Sequence, residues 1–310
     1  MAKKVKEEKE KRRRGDRRDA KLIRDIDGIH VAMAQLYGGR CQNEAYISEQ
    51  VDLGPIKAWI EKHPDEEFKY TFFHAFLAAL ARTVEERPKL NYFVRNKKYW
   101  ERKVISFAFI AKKQKIDGAE EGLVITNYKK DSDVSPMEQM HLSTCKMVAE
   151  IRKSKESKDD TIKIVSTLLK LPGFVFKGVC ALIRALDRHG RLPKSFVKAN
   201  PYNATCFVSN LGSIKLNASY HHLINFGTNS IFAIVGQKEK KPVFHEDGTF
   251  ELKEFLPISL TLDERIADGV YYAKSLRILK ALLLKPELLD KPASEKIDYE
   301  ALLEELKDRL

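Results

Sequence analysis

Apolar and polar positions along this chain follow two periods, and the places where one gives way to the other mark its elements. Strand-like alternation runs through "EAYISEQVDL" up to Leu53, through "NYFVRNKKYWERKVISFAFIAKK" as two or three strands turning near Asn96, and through "GLVITNY". It returns in "ATCFVSNLG", "SIFAIVG" and "KPVFHEDGTFELKEF", where Asp247-Gly248 suits a tight hairpin. In "LPISLTL" the residues Leu256, Ile258, Leu260 and Leu262 share one face with small polar residues between them, the pattern of a strand with one buried face. Helical spacing takes over elsewhere. Pro55 stands near the start of a short helix after Leu53, and Phe72, Phe76, Leu80 and Val84 form an apolar stripe on a helix stopped by Pro88. Ser135 and Glu138 make a capping-box pattern with Pro136 at the first helical position, predicting a helix to about Lys153 that carries His141 as a surface or packing residue. "VYYAKSLRILKALLL" and "IDYEALLEELKDRL" read as two closing helices.

Residues 159–198 read as two basic amphipathic helices broken at Pro172-Gly173. They suit packing on a sheet, a lid over a substrate channel, or contact with a membrane surface. No apolar run reaches the roughly 18 residues that span a bilayer, and the first residues lack the apolar stretch of a secretory signal, so the expected location is cytoplasmic. The formal charge of +12 belongs largely to residues 1–24, where twelve Lys or Arg face five Asp or Glu. That segment reads as a solvated tail ahead of a domain spanning 25–310, since basic residues without interleaved aromatics offer only salt-dependent attraction to phosphates. Cys41, Cys145, Cys180 and Cys206 are too scattered for a metal or redox motif and read as reduced, mostly core thiols.

The order "FVSNLGS", "SIFAIVGQ", "LPISLTLDERIADG" followed by an amphipathic helix, together with "EAYISEQVDL" and "FHAFLAALARTVEERPKLNYFV", resembles the catalytic domain of the 2-oxoacid dehydrogenase dihydrolipoamide acyltransferases, which share their fold with chloramphenicol acetyltransferase. The resemblance covers most of residues 25–290. It implies an α/β protein, a two-layer sandwich with a mixed sheet covered by helices, that assembles as a homotrimer with active sites between subunits. It further implies coenzyme A thioester as co-substrate. No segment resembles a lipoyl domain or an Ala/Pro-rich linker, so the expectation is a stand-alone member of the fold with no lipoyl attachment.

The match fails at one informative position. The family signature is His-x-x-x-Asp-Gly with the His as general base, and here the residues are Glu264 to Gly269, with Asp268 and Gly269 in register and Glu264 in place of the His. Ser209 in "VSNLG" matches the serine that donates a hydrogen bond to the tetrahedral oxyanion. A free glutamate titrates near 4.3 against about 6.5 for histidine, so Glu264 is a weak base unless burial raises it. A carboxylate beside a thiol also opposes thiolate formation. The change therefore disfavours a thiol acceptor more than an amine, a hydroxyl or water.

Each candidate has a plainer reading. Asp268 precedes a helix and suits a cap, Ser209 suits a strand-end turn, and His221 and His222 in "YHHLINFG", offered as a displaced base, would point to opposite faces if that segment were a strand. Asn210 and His222 are the substrate-binding candidates, and no metal site is expected. Two readings follow. One is a coenzyme A-dependent acyltransferase using Glu264, Ser209 and Asp268, and the other is a non-catalytic trimeric ligand-binding or scaffold protein of the same fold.

Overall fold

The computed structural model describes residues 13–64, 67–112, 121–153, 170 and 172–310. Its centre is a seven-stranded mixed sheet built from β2 (Glu44–Asp52), β5 (Ile105–Lys112), β6 (Glu121–Tyr128), β7 (Cys206–Asn210), β8 (Ile231–Val235), β9 (Glu239–Phe244) and β10 (Phe250–Asp263). The order across it is β2-β10-β8-β7-β5-β6, with β9 paired to the first half of β10. Strands β5, β7 and β8 run parallel, while β10 is antiparallel to β2, β8 and β9, and β6 to β5. A second, three-stranded sheet pairs β1 (Ala20–Leu22) and β3 (Tyr92–Arg95) with β4 (Lys98–Arg102). The β3–β4 turn carries Asn96 and Lys97 at φ 52° and 59°, the left-handed pair that a two-residue hairpin requires.

One face of the large sheet is covered by helices. Helix α3 (Phe72–Glu86) lies against β5 between α4 (Pro136–Lys153) and α7 (Gly269–Leu284), and α2 (Gly54–Lys62) packs beside α7. Enclosure by sheet and helices buries α3 nearly all round, from Phe73 to Val84, rather than along one stripe. The inward residues of β7, β8 and β10, among them Val208, Ala233, Ile258 and Leu262, complete this main core. The remaining helices are α1 (Gly28–Leu36), α5 (Gly173–Arg188), α6 (Lys194–Ala199) and α8 (Tyr299–Glu305). The mixed sheet with its helical layer is the expected α/β architecture.

The opposite face is not bare. Phe207, Phe232 and Ile234 form a smaller cluster with Leu223, which the loop after β7 lays over the sheet. For that reason β10 is buried on both faces where one was expected: Ser259 and Thr261, between its leucines, are buried as fully as they are. The Ser135 cap is as expected, its Oγ accepting from the Glu138 N–H at 3.2 Å. His141 is a packing residue, buried and stacked on Tyr70.

Three expectations change. The charged tail does not extend to residue 24, because Arg17 is buried against the rings of Phe93 and Trp100 and β1 pairs with β4. The helix after Pro172 does not continue to 198. It ends at Arg188, since Gly190 takes φ +64° where a Cβ would meet Arg17 at 2.7 Å, and α6 begins after Pro193. The helix expected before Pro172 lies outside the described residues. The cysteines are free, yet only Cys206 is buried and the other three are half-exposed.

Candidate active site

β10 ends at Asp263, and the chain then turns through Glu264, Arg265, Ile266 and Ala267 before α7 begins. This turn is held from several sides. The Glu264 N–H donates to the Asn43 carbonyl at 2.9 Å, and Ile266 N–H to the Asp263 carbonyl at 3.1 Å. The Tyr99 hydroxyl lies 2.9 Å from the His30 carbonyl and 3.0 Å from the Arg265 carbonyl, and Tyr272 donates to the Asp263 carbonyl at 2.8 Å. Burial, with Asp263 nearby, pushes the Tyr99 phenol up to about 12, so it remains a neutral donor.

Beneath the turn lies an ion network. Asp263 is wholly buried and receives both Nε and Nη2 of Arg265 at 2.8 Å, a two-pronged carboxylate contact. Arg40 approaches the same carboxylate at 4.0 Å through Nε, and its Nη1 donates to the Ile224 and Gly227 carbonyls. Burial pulls Arg40 down to about 10, with Asp263 opposing, so it stays charged at neutral pH. For Arg265, burial is the largest influence and lowers the pKa, but the hydrogen bonds and charge of Asp263 carry it above the usual arginine value. None of Arg40, Asp263 or Arg265 was singled out from sequence. The Asp-x-Arg spacing was visible in "LDERIADG", but only the fold brings Arg40 to it across more than 220 residues.

Above this base Glu264 is exposed, and its carboxylate accepts no hydrogen bond among the described residues. The result is a free carboxylate on a fixed backbone. Asp268 has a different role in the chain. Its Oδ1 accepts from the Tyr271 N–H at 2.8 Å as the N-cap of α7, and it makes no ion pair among the described residues. The buried ion pairing next to this turn is made by Asp263.

Ser209 lies at the far end of the sheet. It pairs with Ile234, which pairs with Ser259, so the three share the face away from the helices, while Glu264 follows five residues beyond Ser259. Five residues along a strand and two strand spacings across separate the two residues by roughly 15–20 Å within one chain. Asn210, next to Ser209, caps the following turn by accepting from the Ser213 N–H at 3.2 Å.

The structure brings the histidines to the Glu264 end instead. The segment holding His221 and His222 is a loop, not a strand, so the argument that their side chains must diverge does not apply. The two rings stack on each other, and His221 stacks on Phe232. The Leu223 N–H donates to Glu44, whose backbone pairs with Asp263. His30 was missed altogether. On α1, its Nδ1 lies 2.6 Å from the Asp27 carboxylate, and the Tyr99 hydroxyl links its carbonyl to that of Arg265. A sequence cue existed in the Asp-x-x-His spacing at the helix start, but nothing local tied it to residue 264. Among the described residues no group of three or more His, Cys, Asp or Glu is placed to hold a metal ion.

A mixed sheet with one helical layer and a fixed turn at the end of its longest strand, β10, is a chloramphenicol acetyltransferase-like fold. The comparisons agree. Residues 184–290, which include Ser209 and the whole Glu264 turn, match the family of 2-oxoacid dehydrogenases acyltransferase (catalytic domain). A probable dihydrolipoamide acetyltransferase from Listeria monocytogenes 4b F2365 superposes with a TM-score of 0.54 at 18% identity, covering 86% of this chain and 95% of its own. For the dihydrolipoamide acetyltransferase of Azotobacter vinelandii the values are 0.52, 16%, 91% and 94%, and for a chloramphenicol acetyltransferase 0.53, 11%, 87% and 99%. No curated protein matches the chain. The chain thus has the fold of these acyltransferases, and its residues 184–290 carry the sequence pattern of their catalytic domain.

Proposed function

We propose that the protein transfers an acyl group from a coenzyme A thioester to a hydroxyl or amine acceptor. The observation that carries this reading is Glu264, a carboxylate left without a hydrogen bond among the described residues on a turn fixed by buried ion pairs and tyrosines, at the position where the resemblance puts the base. Holding a group on a fixed backbone while leaving its polar atoms uncommitted aids chemistry. Glu264 takes the proton of the acceptor as its oxygen or nitrogen attacks the thioester carbonyl. Ser209 donates to the oxyanion, and the proton passes to the departing thiolate.

With Glu264 and Ser209 far apart within one chain, the two act together across a contact between copies, and the resemblance makes that assembly a homotrimer with composite sites. Exposed Phe244, Phe250 and Leu252 on the β9–β10 hairpin offer apolar surface for such contacts. Asn210 and His222 remain the substrate-binding candidates, one at each end of the composite site. The second reading, a trimeric ligand-binding or scaffold protein, draws on the loss of the signature histidine at residue 264. Purified protein incubated with a panel of acyl-CoA thioesters and amine, alcohol or water acceptors separates the two. Thiol release is expected for the enzyme, and none with any pair leaves the scaffold.

A further inference from the structure

Helix α5 stands apart from the site. Its sixteen residues span about 24 Å, but Asp187 alone among them is buried. That residue anchors the last turn: its carboxylate pairs with Arg95, and its carbonyl accepts from Arg17 at 3.0 Å. The anchor sets which side of the helix faces out. Val175, Val179, Ile183 and Leu186 recur at helical spacing and are half-buried. The outward side combines two adjoining strips, one basic (Lys177, Arg184 and Arg188) and one apolar (Phe174, Ala181 and Leu182), all exposed. Phe174 is 80% and Leu182 59% accessible, among the barest large apolar side chains of the described residues.

Charge distinguishes this face from an ordinary solvated one. From Lys170 to Arg191 the sequence holds a single acidic residue, Asp187, and that one is buried and paired. Cations there have no acidic neighbour on their own helix, and bare phenylalanine beside them gains nothing from water. We propose that the outward face of α5 docks on an anionic lipid surface, with Lys177, Arg184 and Arg188 at the headgroups and Phe174 and Leu182 entering the acyl boundary. An amphipathic helix with a basic flank and exposed apolar side chains binds an interface in this way, each half of the face supplying part of the affinity. A two-fold contact between copies is the poorer occupant, because it would set these cations against their equivalents, and the apolar surface offered to the trimer lies elsewhere, on the β9–β10 hairpin. The proposal does not depend on the acyl-transfer reading.

Vesicle flotation tests it, using phosphatidylcholine alone and phosphatidylcholine with about one third phosphatidylglycerol. The full chain floats with the anionic vesicles, stays behind with the neutral ones, and is released by high salt. The triple variant Lys177→Glu, Arg184→Glu, Arg188→Glu partitions about a hundredfold less, and the double variant Phe174→Ser, Leu182→Ser also loses binding. All five positions are exposed, so circular dichroism and thermal melts are expected to match the parent. Failure of the parent to float, equal flotation on neutral vesicles, or variants that bind like the parent would overturn the proposal. A change in solution mass of the variants with vesicle binding intact would overturn it in favour of a contact between copies.

Discussion

At the scale of single residues, Glu264 and Asp268 make opposite predictions although they stand four apart in one turn. Glu264 is uncommitted, so Glu264→Gln is expected to lower turnover by roughly 10²- to 10⁴-fold, the range for loss of a general base, with an unchanged melting curve. Asp268 caps α7, so Asp268→Ala is expected to cost about 1 kcal/mol in urea denaturation, whatever it does to activity. Glu264→His rebuilds the family signature and is expected to add a thiol-acceptor activity, because imidazole takes the thiol proton without adding a second anion; the readout is acyl-CoA turnover with a small thiol. His74 gives a pH prediction. Buried in α3 and next to His141, it is pulled down from 6.5 to about 4. Below pH 6.5 the unfolded chain takes up a proton there that the folded chain refuses, so this contribution falls as pH drops from 6.5 toward 4. Between pH 7 and pH 5 the loss is about 2 kcal/mol. His74→Gln is expected to flatten that part of a pH series of denaturation midpoints, and an unchanged slope would refute the assignment.

At the scale of elements, the turn after β10 depends on partners distant in sequence. Asp263 is enclosed by Arg265 and Arg40, and removing one member of a buried ion group leaves the others charged and underpaired. Asp263→Asn is therefore expected to destabilise the fold by about 3–5 kcal/mol, read from denaturant midpoints, and to abolish turnover with Glu264 itself intact. Local sequence foretold the elements on either side well, because strand alternation, the Asp247-Gly248 turn and the caps at Ser135 and Asp268 are short-range effects. It missed where burial comes from elsewhere: Ser259 and Thr261 look like solvent-facing positions until the loop after β7 folds over them, and α3 looks one-sided until α4 and α7 enclose it. The histidine loop fails for the same reason, since "YHHLINFG" is apolar enough for a strand but is held as a loop by contacts to Glu44 and Phe232.

At the scale of the whole molecule, the two ends of the sheet carry the two halves of the proposed chemistry. Parallel β7 delivers Ser209 at its C-terminal end, antiparallel β10 delivers Glu264 at the opposite end, and no flexing of a hydrogen-bonded sheet closes the gap. For the trimer that the resemblance implies, the expected solution mass by light scattering is that of three chains, and mixing inactive Ser209→Ala with inactive Glu264→Gln is expected to restore part of the turnover in mixed trimers. A monomeric mass would remove the composite site.

The sequence by itself determined the identity and order of most elements, the α/β class, the resemblance to the acyltransferases, and Glu264, Ser209 and Asp268 as positions to examine. These rest on periodicity, turn chemistry and motif spacing, which act over a few residues. Only the tertiary structure decided that Asp263, Arg40 and Arg265 form the buried support, that Arg17 ties the segment before β1 to α5, and that Glu264 and Ser209 lie far apart. The reason is physical: burial, charge pairing and strand direction depend on which distant segments meet, and a charge such as Arg40 shows no partner until the chain has folded around Asp263.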